Sequence, residues 1–171
     1  PLSAFLKVAE HSDHAFLFES VEGGEQIARY SFLGKDPFLV LRARDGETLI
    51  EEGGAARSVD VPFLSHLRKV MGDYQAPLVP ELPRFTGGAV GFLGYEAAAW
   101  FESSLNALWG ESDETLLQQD GAGFMLFDTI LAFDHVKHRI LVIANARVGP
   151  DTDLGMAYEL ATAKVHFLEQ E

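Results

Sequence analysis

The sequence predicts an α+β domain, mainly antiparallel, sandwich-like β-sheet with a few covering helices. Three observations carry that expectation. Runs of strand length outnumber helical periods along the chain. Most neighbouring runs are separated by a short turn, and a parallel pair would instead need a crossover of a dozen or more residues. The 171 residues, 47% of them hydrophobic, suffice for one sizeable core, so a single domain over residues 1–171 is the default.

Residues 14–20 are apolar and aromatic, 21–25 break the run with Gly23-Gly24, and 27–34 resume it, which reads as two strands joined by a Gly-Gly turn. Residues 38–44 and 47–51 flank Asp45-Gly46, a dipeptide that supplies the positive φ angles of a tight hairpin, and Gly53-Gly54 ends the second strand. Asp60 reads as the N-cap of a helix with Pro62 in its first turn; Phe63, Leu64, Leu67, Val70 and Met71 recur at helical spacing up to Gly72. Three prolines make 75–83 a surface loop. A Gly-rich strand over 84–95 runs into a short helix at 96–101, and 102–121 are polar and irregular. Residues 123–134 read as one strand buried on both faces, 135–138 turn the chain, and 139–146 return antiparallel. After Asp153, Leu154, Ala157, Tyr158, Ala161, Val165 and Leu168 mark a helix face. Because the chain opens on Pro1 and its helical pattern runs to Glu171, both ends read as cuts within a longer chain.

Thirteen basic against 26 acidic residues give a net charge of -13, which repels nucleic-acid backbones and anionic membrane surfaces. No apolar run reaches the roughly 18 residues of a membrane span, and no signal-peptide pattern opens the chain, so a soluble protein is expected. Without cysteine there is neither disulfide nor thiolate chemistry, which is compatible with a reducing cytoplasm.

Several constellations invite a chemical reading and resist it. Gly87, Gly88, Gly91 and Gly94 lack the following Lys-Ser/Thr of a phosphate loop and fit close backbone packing better. His135 and His138 sit in a hairpin turn beside Lys137 and Arg139, cations that disfavour a metal. No serine has the setting of a nucleophile. Glu19-Ser20 and Arg29-Tyr30-Ser31-Phe32 differ, because each sets polar groups beside bulky apolar ones on strands expected to pair. An amphipathic ligand such as an aromatic amino acid needs that mixture: a slot for the ring, an acceptor for the ammonium and donors for the carboxylate. The plain alternative is strand alternation, with Arg29 paired to Glu19 or Glu22 and Tyr30 and Phe32 in the core.

The same residues carry a resemblance. Phe16-Leu17-Phe18-Glu19-Ser20-Val21-Glu22-Gly23-Gly24-Glu25, then Arg29-Tyr30-Ser31-Phe32-Leu33-Gly34, resembles the start of anthranilate synthase large components (component I). Pro83-Arg84-Phe85-Thr86-Gly87-Gly88-Ala89-Val90-Gly91-Phe92-Leu93-Gly94-Tyr95-Glu96 is similar to that family's Gly-rich motif, which aminodeoxychorismate synthases share. Phe127-Asp128-Thr129 with Phe133-Asp134-His135-Val136-Lys137-His138-Arg139 resembles its paired-strand motif and points to the anthranilate enzyme. The resemblance implies a lyase acting on chorismate with Mg2+ and with ammonia from a glutamine amidotransferase (component II), inhibited by L-tryptophan. It implies that the inhibitor pocket involves Phe18, Glu19, Ser20, Arg29, Tyr30, Ser31 and Phe32, completed by a carboxyl-terminal catalytic domain that this chain lacks and that holds the chorismate and Mg2+ residues. No catalytic residue carries over to this chain. The alternatives are the same region of aminodeoxychorismate synthase, or a free-standing amino-acid-binding module.

Overall fold

The structure is a computed structural model and describes residues 1–19, 29–44, 46–102, 104–105 and 121–170. Among these the chain forms α1 (Leu2–Val8), β1 (Ala15–Phe18), β2 (Tyr30–Lys35), β3 (Leu39–Arg44), β4 (Glu47–Glu52), β5 (Ala55–Val59), α2 (Phe63–Gly72), β6 (Gly88–Leu93), a 3-10 helix (Tyr95–Trp100), β7 (Ala122–Phe127), β8 (Thr129–Asp134), β9 (Arg139–Ala144) and α3 (Leu154–Gln170). The mainly antiparallel α+β class is observed: two sheets, in the orders β1-β2-β8-β9 and β5-β4-β3-β7-β6. The chain divides into two compact units, the first made of Pro1–Pro37, Pro77–Gly88 and Phe127–Glu171, the second of Phe38–Ala76 and Ala89–Leu126.

The second unit holds the five-stranded sheet. The β3–β4 hairpin forms as its sequence predicts, with Gly46 at φ 79° and residues paired from Leu39 with Glu52 to Arg44 with Glu47. Gly53 and Gly54, at φ 58° and 80°, do more than end β4: they turn the chain into β5, whose small and polar residues gave no apolar pattern to read. Leu41, Ile50, Leu126 and Phe63 are buried together, and α2 lays its apolar side over them. This helix does not take Asp60 as its cap. Pro62 is the N-cap residue, and its carbonyl accepts the His66 N–H at 3.0 Å.

The first unit holds the four-stranded sheet. One of its faces is covered by helices: Val8 of α1 is buried with Leu33 of β2 and Leu131 of β8, and Phe5, Leu17, Val142 and Leu168 pack around them. Asp153 caps α3 by accepting the Met156 N–H on its carboxylate at 3.0 Å. Here the chain departs from the expected single strand over residues 123–134. Asp128 breaks that run, and β7 and β8 enter different sheets. The cause is polar: the Asp128 carbonyl accepts the Asn145 backbone N–H at 2.7 Å and its side-chain Nδ2 at 3.0 Å, while the carboxylate takes both Lys164 contacts at 2.8 Å. A side chain 8% exposed with these partners marks a corner and interrupts the strand.

Candidate functional site

The face of the four-stranded sheet opposite α1 and α3 is aromatic, and the strand period builds it. In the antiparallel β1–β2 pair Phe16 lies across from Gly34 and Phe18 across from Phe32; in β2–β8 Tyr30 lies across from Asp134 and Phe32 across from Ala132. Residues directly opposite share a face, so Phe16, Phe18, Tyr30 and Phe32 project together. Their rings confirm it: Phe16 and Phe18 have centroids 5.2 Å apart, and Tyr30 stacks on Phe32 at 5.9 Å. Phe85, from the segment ahead of the Gly-rich strand, meets Phe32 edge-on at 5.2 Å and Phe16 at 6.3 Å. Gly34 leaves room for this cluster, since a Cβ there would sit 2.5 Å from the Phe16 ring. Phe16 is buried, Tyr30, Phe32 and Phe85 are half-buried, and Phe18 is 52% exposed.

At the Tyr30 end the cluster is bounded by a two-pronged ion pair. Arg29 Nε donates to Asp134 Oδ1 at 3.0 Å and Arg29 Nη2 to Oδ2 at 2.8 Å, while the guanidinium carbon lies 4.8 Å from the Tyr30 ring centroid. The Lys137 backbone N–H donates to Asp134 Oδ1 at 3.1 Å, and Arg139 Nε lies 3.8 Å from Oδ2. The hydrogen bond from Arg29 holds the Asp134 carboxyl well below the usual carboxylate range; burial opposes the shift and the Lys137 N–H reinforces it. Arg29 is raised correspondingly, first by its hydrogen bond to Asp134. A carboxylate this firmly ionised positions its neighbours and is poorly suited to donating a proton at neutral pH.

The residues singled out in the sequence do not all meet. Phe18, Tyr30 and Phe32 share the aromatic face, Arg29 stands at its end, and Glu19 is exposed just past β1. Ser31 alternates to the opposite face, where it is 2% exposed and its Oγ shares a 2.7 Å hydrogen bond with His135 Nε2. Ser20 lies outside the described residues, as do residues 21–28. Among the described residues Arg29 pairs with Asp134, whereas Glu22, the other acid expected to meet it besides Glu19, lies outside them. Phe16, Phe85, Asp134 and His135 were not named as site residues. Asp134 and His135 tie the turn between β8 and β9 to the start of β2 from both faces, and the His135 N–H also donates to the Arg29 carbonyl at 2.8 Å. The available signal was the repeated acid-after-aromatic pattern, Phe127-Asp128 and Phe133-Asp134.

Of the glycines in the 84–95 stretch, Gly87 and Gly91 serve close packing, whereas a Cβ at Gly88 would meet nothing within 4 Å. Gly87 has φ 149°, and a Cβ there would stand 2.8 Å from the Phe127 carbonyl oxygen and 2.9 Å from Asn145 Nδ2, which itself donates to the Thr86 carbonyl at 2.7 Å. Among the described residues no group of three or more His, Cys, Asp or Glu is placed to hold a metal ion. No helix among them is long and apolar enough to cross a membrane.

No protein-family profile matches the chain. It is 38% identical over 172 residues to anthranilate synthase component 1 of Acetivibrio thermocellus, covering 100% of this chain and 33% of that protein. It is 38% identical over 167 residues to the protein of the same name from Synechocystis sp., covering 96% of this chain and 32% of that one. Among solved structures, anthranilate synthase component I from Streptococcus pneumoniae TIGR4 superposes with a TM-score of 0.60 at 22% identity, over 96% of this chain and 34% of that chain, a likeness of fold. The chain spans about a third of the length of the curated relatives it matches, and that third is their amino-terminal one.

Proposed function

Since the chain belongs with the amino-terminal region of anthranilate synthase component I, we propose that it is the single regulatory domain of such an enzyme and carries part of the L-tryptophan feedback site. In this reading the whole protein is a cytoplasmic lyase that turns chorismate and ammonia into anthranilate and pyruvate, the first step of tryptophan biosynthesis. The ammonia comes from a glutamine amidotransferase component. Chorismate and Mg2+ are held by a carboxyl-terminal catalytic domain, and the residues described here, with no cluster fit for a cation, are assigned no part in holding the metal.

The observation that carries the proposal is the half-open aromatic shelf of Phe18, Tyr30 and Phe32 ended by the fixed Arg29–Asp134 pair. An indole ring finds edge and face partners on such a shelf, worth about 0.5–1.5 kcal/mol per aromatic contact beyond burial. Glu19 and Ser20, which follow β1 directly, are the groups assigned to the inhibitor's ammonium and carboxylate. Ser31 acts from beneath by holding His135, and through it the turn that carries Asp134. Inhibition is then a population shift: tryptophan binds one arrangement of the whole enzyme better than another, and that difference in affinity biases the distant active site.

Tryptophan titration of the full-length enzyme tests this. Ser20→Phe and Phe32→Ala are each expected to raise the half-inhibitory concentration, Phe32→Ala by roughly two- to twelvefold, the loss of one aromatic contact. The KM for chorismate should change little. Unchanged inhibition in both variants overturns the assignment, and an enzyme that releases aminodeoxychorismate instead of anthranilate overturns the reaction.

A further inference from the structure

The 17-residue helix α3 contains no fully buried residue. It meets the four-stranded sheet through Lys164, which reaches Asp128, and through Leu168, which packs on the cluster of Val8, Leu33 and Leu131. A second apolar stripe is left outside. Met156, Leu160, Ala163 and Phe167 recur in steps of four, three and four, the spacing that aligns residues along one side of a helix and forms the seam between two packed helices. Met156 is 70%, Leu160 60% and Phe167 59% exposed, and Ala163 is exposed with them. Single exposed apolar residues are ordinary on a protein surface, whereas four in register on one helix make a contiguous patch.

The order of sizes along the stripe selects what covers it. A parallel copy would set Ala163 against Ala163 and Phe167 against Phe167, one layer too thin and one too thick for even packing. An antiparallel copy sets Leu160 opposite Ala163 and Met156 opposite Phe167, so a large side chain meets a small one and a pliant thioether meets a ring. The flanking charges agree. Glu159 and His166 border the stripe on one side, where the antiparallel register places Glu159 opposite His166, an acid against a group that is never negative. In a parallel pair Glu159 would turn to Lys164, which Asp128 already holds at 2.8 Å. At the far end of the stripe Ala163 and Phe167 line an apolar pocket of about 380 Å3 with Val8, Leu33 and Leu131, and the Phe167 ring centroid lies 5.2 Å from Lys35 Nζ.

We propose that the stripe is a dimer interface: two copies of this chain pack their α3 helices antiparallel about a two-fold axis, with Met156 of the partner subunit seated against Phe167 at the mouth of the apolar pocket. The interface lies on the helix-covered side of the sheet, away from the aromatic shelf, and does not depend on the feedback reading.

Sedimentation equilibrium of the 171-residue chain reads the mass directly. Twice the 18.8 kDa of one chain is expected in the micromolar range. Leu160→Glu should raise the dimer dissociation constant at least about thirtyfold, because the two-fold axis buries the new carboxylate twice, and its circular-dichroism spectrum should stay that of the wild type. Tyr158→Glu, at a position 72% exposed on another side of the same helix, should leave the mass doubled. The chain has no cysteine, so disulfide trapping reports the register independently. A mixture of Leu160→Cys and Ala163→Cys proteins should form the mixed disulfide in preference to either like pair. A single-chain mass throughout the micromolar range, equal loss of dimer in Tyr158→Glu, or disulfides formed like with like overturns the proposal.

Discussion

Gly91→Ala is the sharpest test of how β6 is seated. A Cβ at Gly91 would overlap the Gly123 carbonyl oxygen and stand 2.8 Å from its carbonyl carbon and 2.7 Å from the Phe124 Cα, where ordinary contact begins at 3.4 Å. All three atoms are backbone of β7, so no side chain can rotate aside. The carbonyl oxygen sets the requirement, so β6 must retreat by more than about 1 Å, stretching its ladder to β7 and loosening Val90, which is 6% exposed. Overpacking against backbone, with one or two ladder bonds weakened, costs about 3 kcal/mol. At about 2–4 °C per kcal/mol for a chain of this length, the melting temperature should fall by about 6–12 °C. Gly72→Ala is the control, since a Cβ there meets nothing within 4 Å, and helix propensity predicts a gain of about 0.5–1 kcal/mol. Circular-dichroism melts and urea unfolding measure both. A Gly91→Ala protein that melts no lower than the Gly72→Ala one would refute the reasoning.

Two further outcomes follow from the tie between β2 and the turn after β8. Asp134 has a depressed pKa in the folded protein, so its contribution is present above the ordinary carboxylate value of about 3.9 and is lost as pH falls toward its own. The stability gap between wild type and Asp134→Asn, measured by urea unfolding, should be widest near neutral pH and narrow below about pH 4; a gap independent of pH would contradict it. Ser31→Ala removes the 2.7 Å bond to His135 and should cost about 1 kcal/mol. A double-mutant cycle with His135→Ala should return a coupling of similar size, and strict additivity would mean the bond contributes nothing.

What the sequence made legible was local. Asp45-Gly46 announced the β3–β4 hairpin, although Asp45 itself lies outside the described residues, and the spacing of Phe63, Leu67 and Val70 announced α2. β5 escaped because its residues are small, polar and mostly exposed and so carry no apolar alternation, and α1 because seven residues are too short a window for a helical period. The break at Asp128 was hidden inside an unbroken apolar run. Its causes, Asn145 and Lys164, lie 17 and 36 residues further on. At the candidate site, alternation fixes which of Tyr30, Ser31 and Phe32 share a face, so the divergence of Ser31 was readable in principle. That Asp134 would answer Arg29 from 105 residues away was not.

The interleaving of the two units governs the order in which the shelf can be made. During synthesis the chain leaves the first unit after Pro37, returns at Pro77, leaves again after Gly88 and returns for good at Phe127. β2 emerges early, yet its partner β8 is translated about a hundred residues later, as the 104-residue separation of Ser31 and His135 records. Until then Tyr30 and Phe32 have only β1 beside them, and a two-stranded ribbon is marginal in water. A nascent or truncated chain ending before Phe127 therefore presents unpaired strand edges and bare aromatic rings, the species a chaperone would hold or a protease would clear.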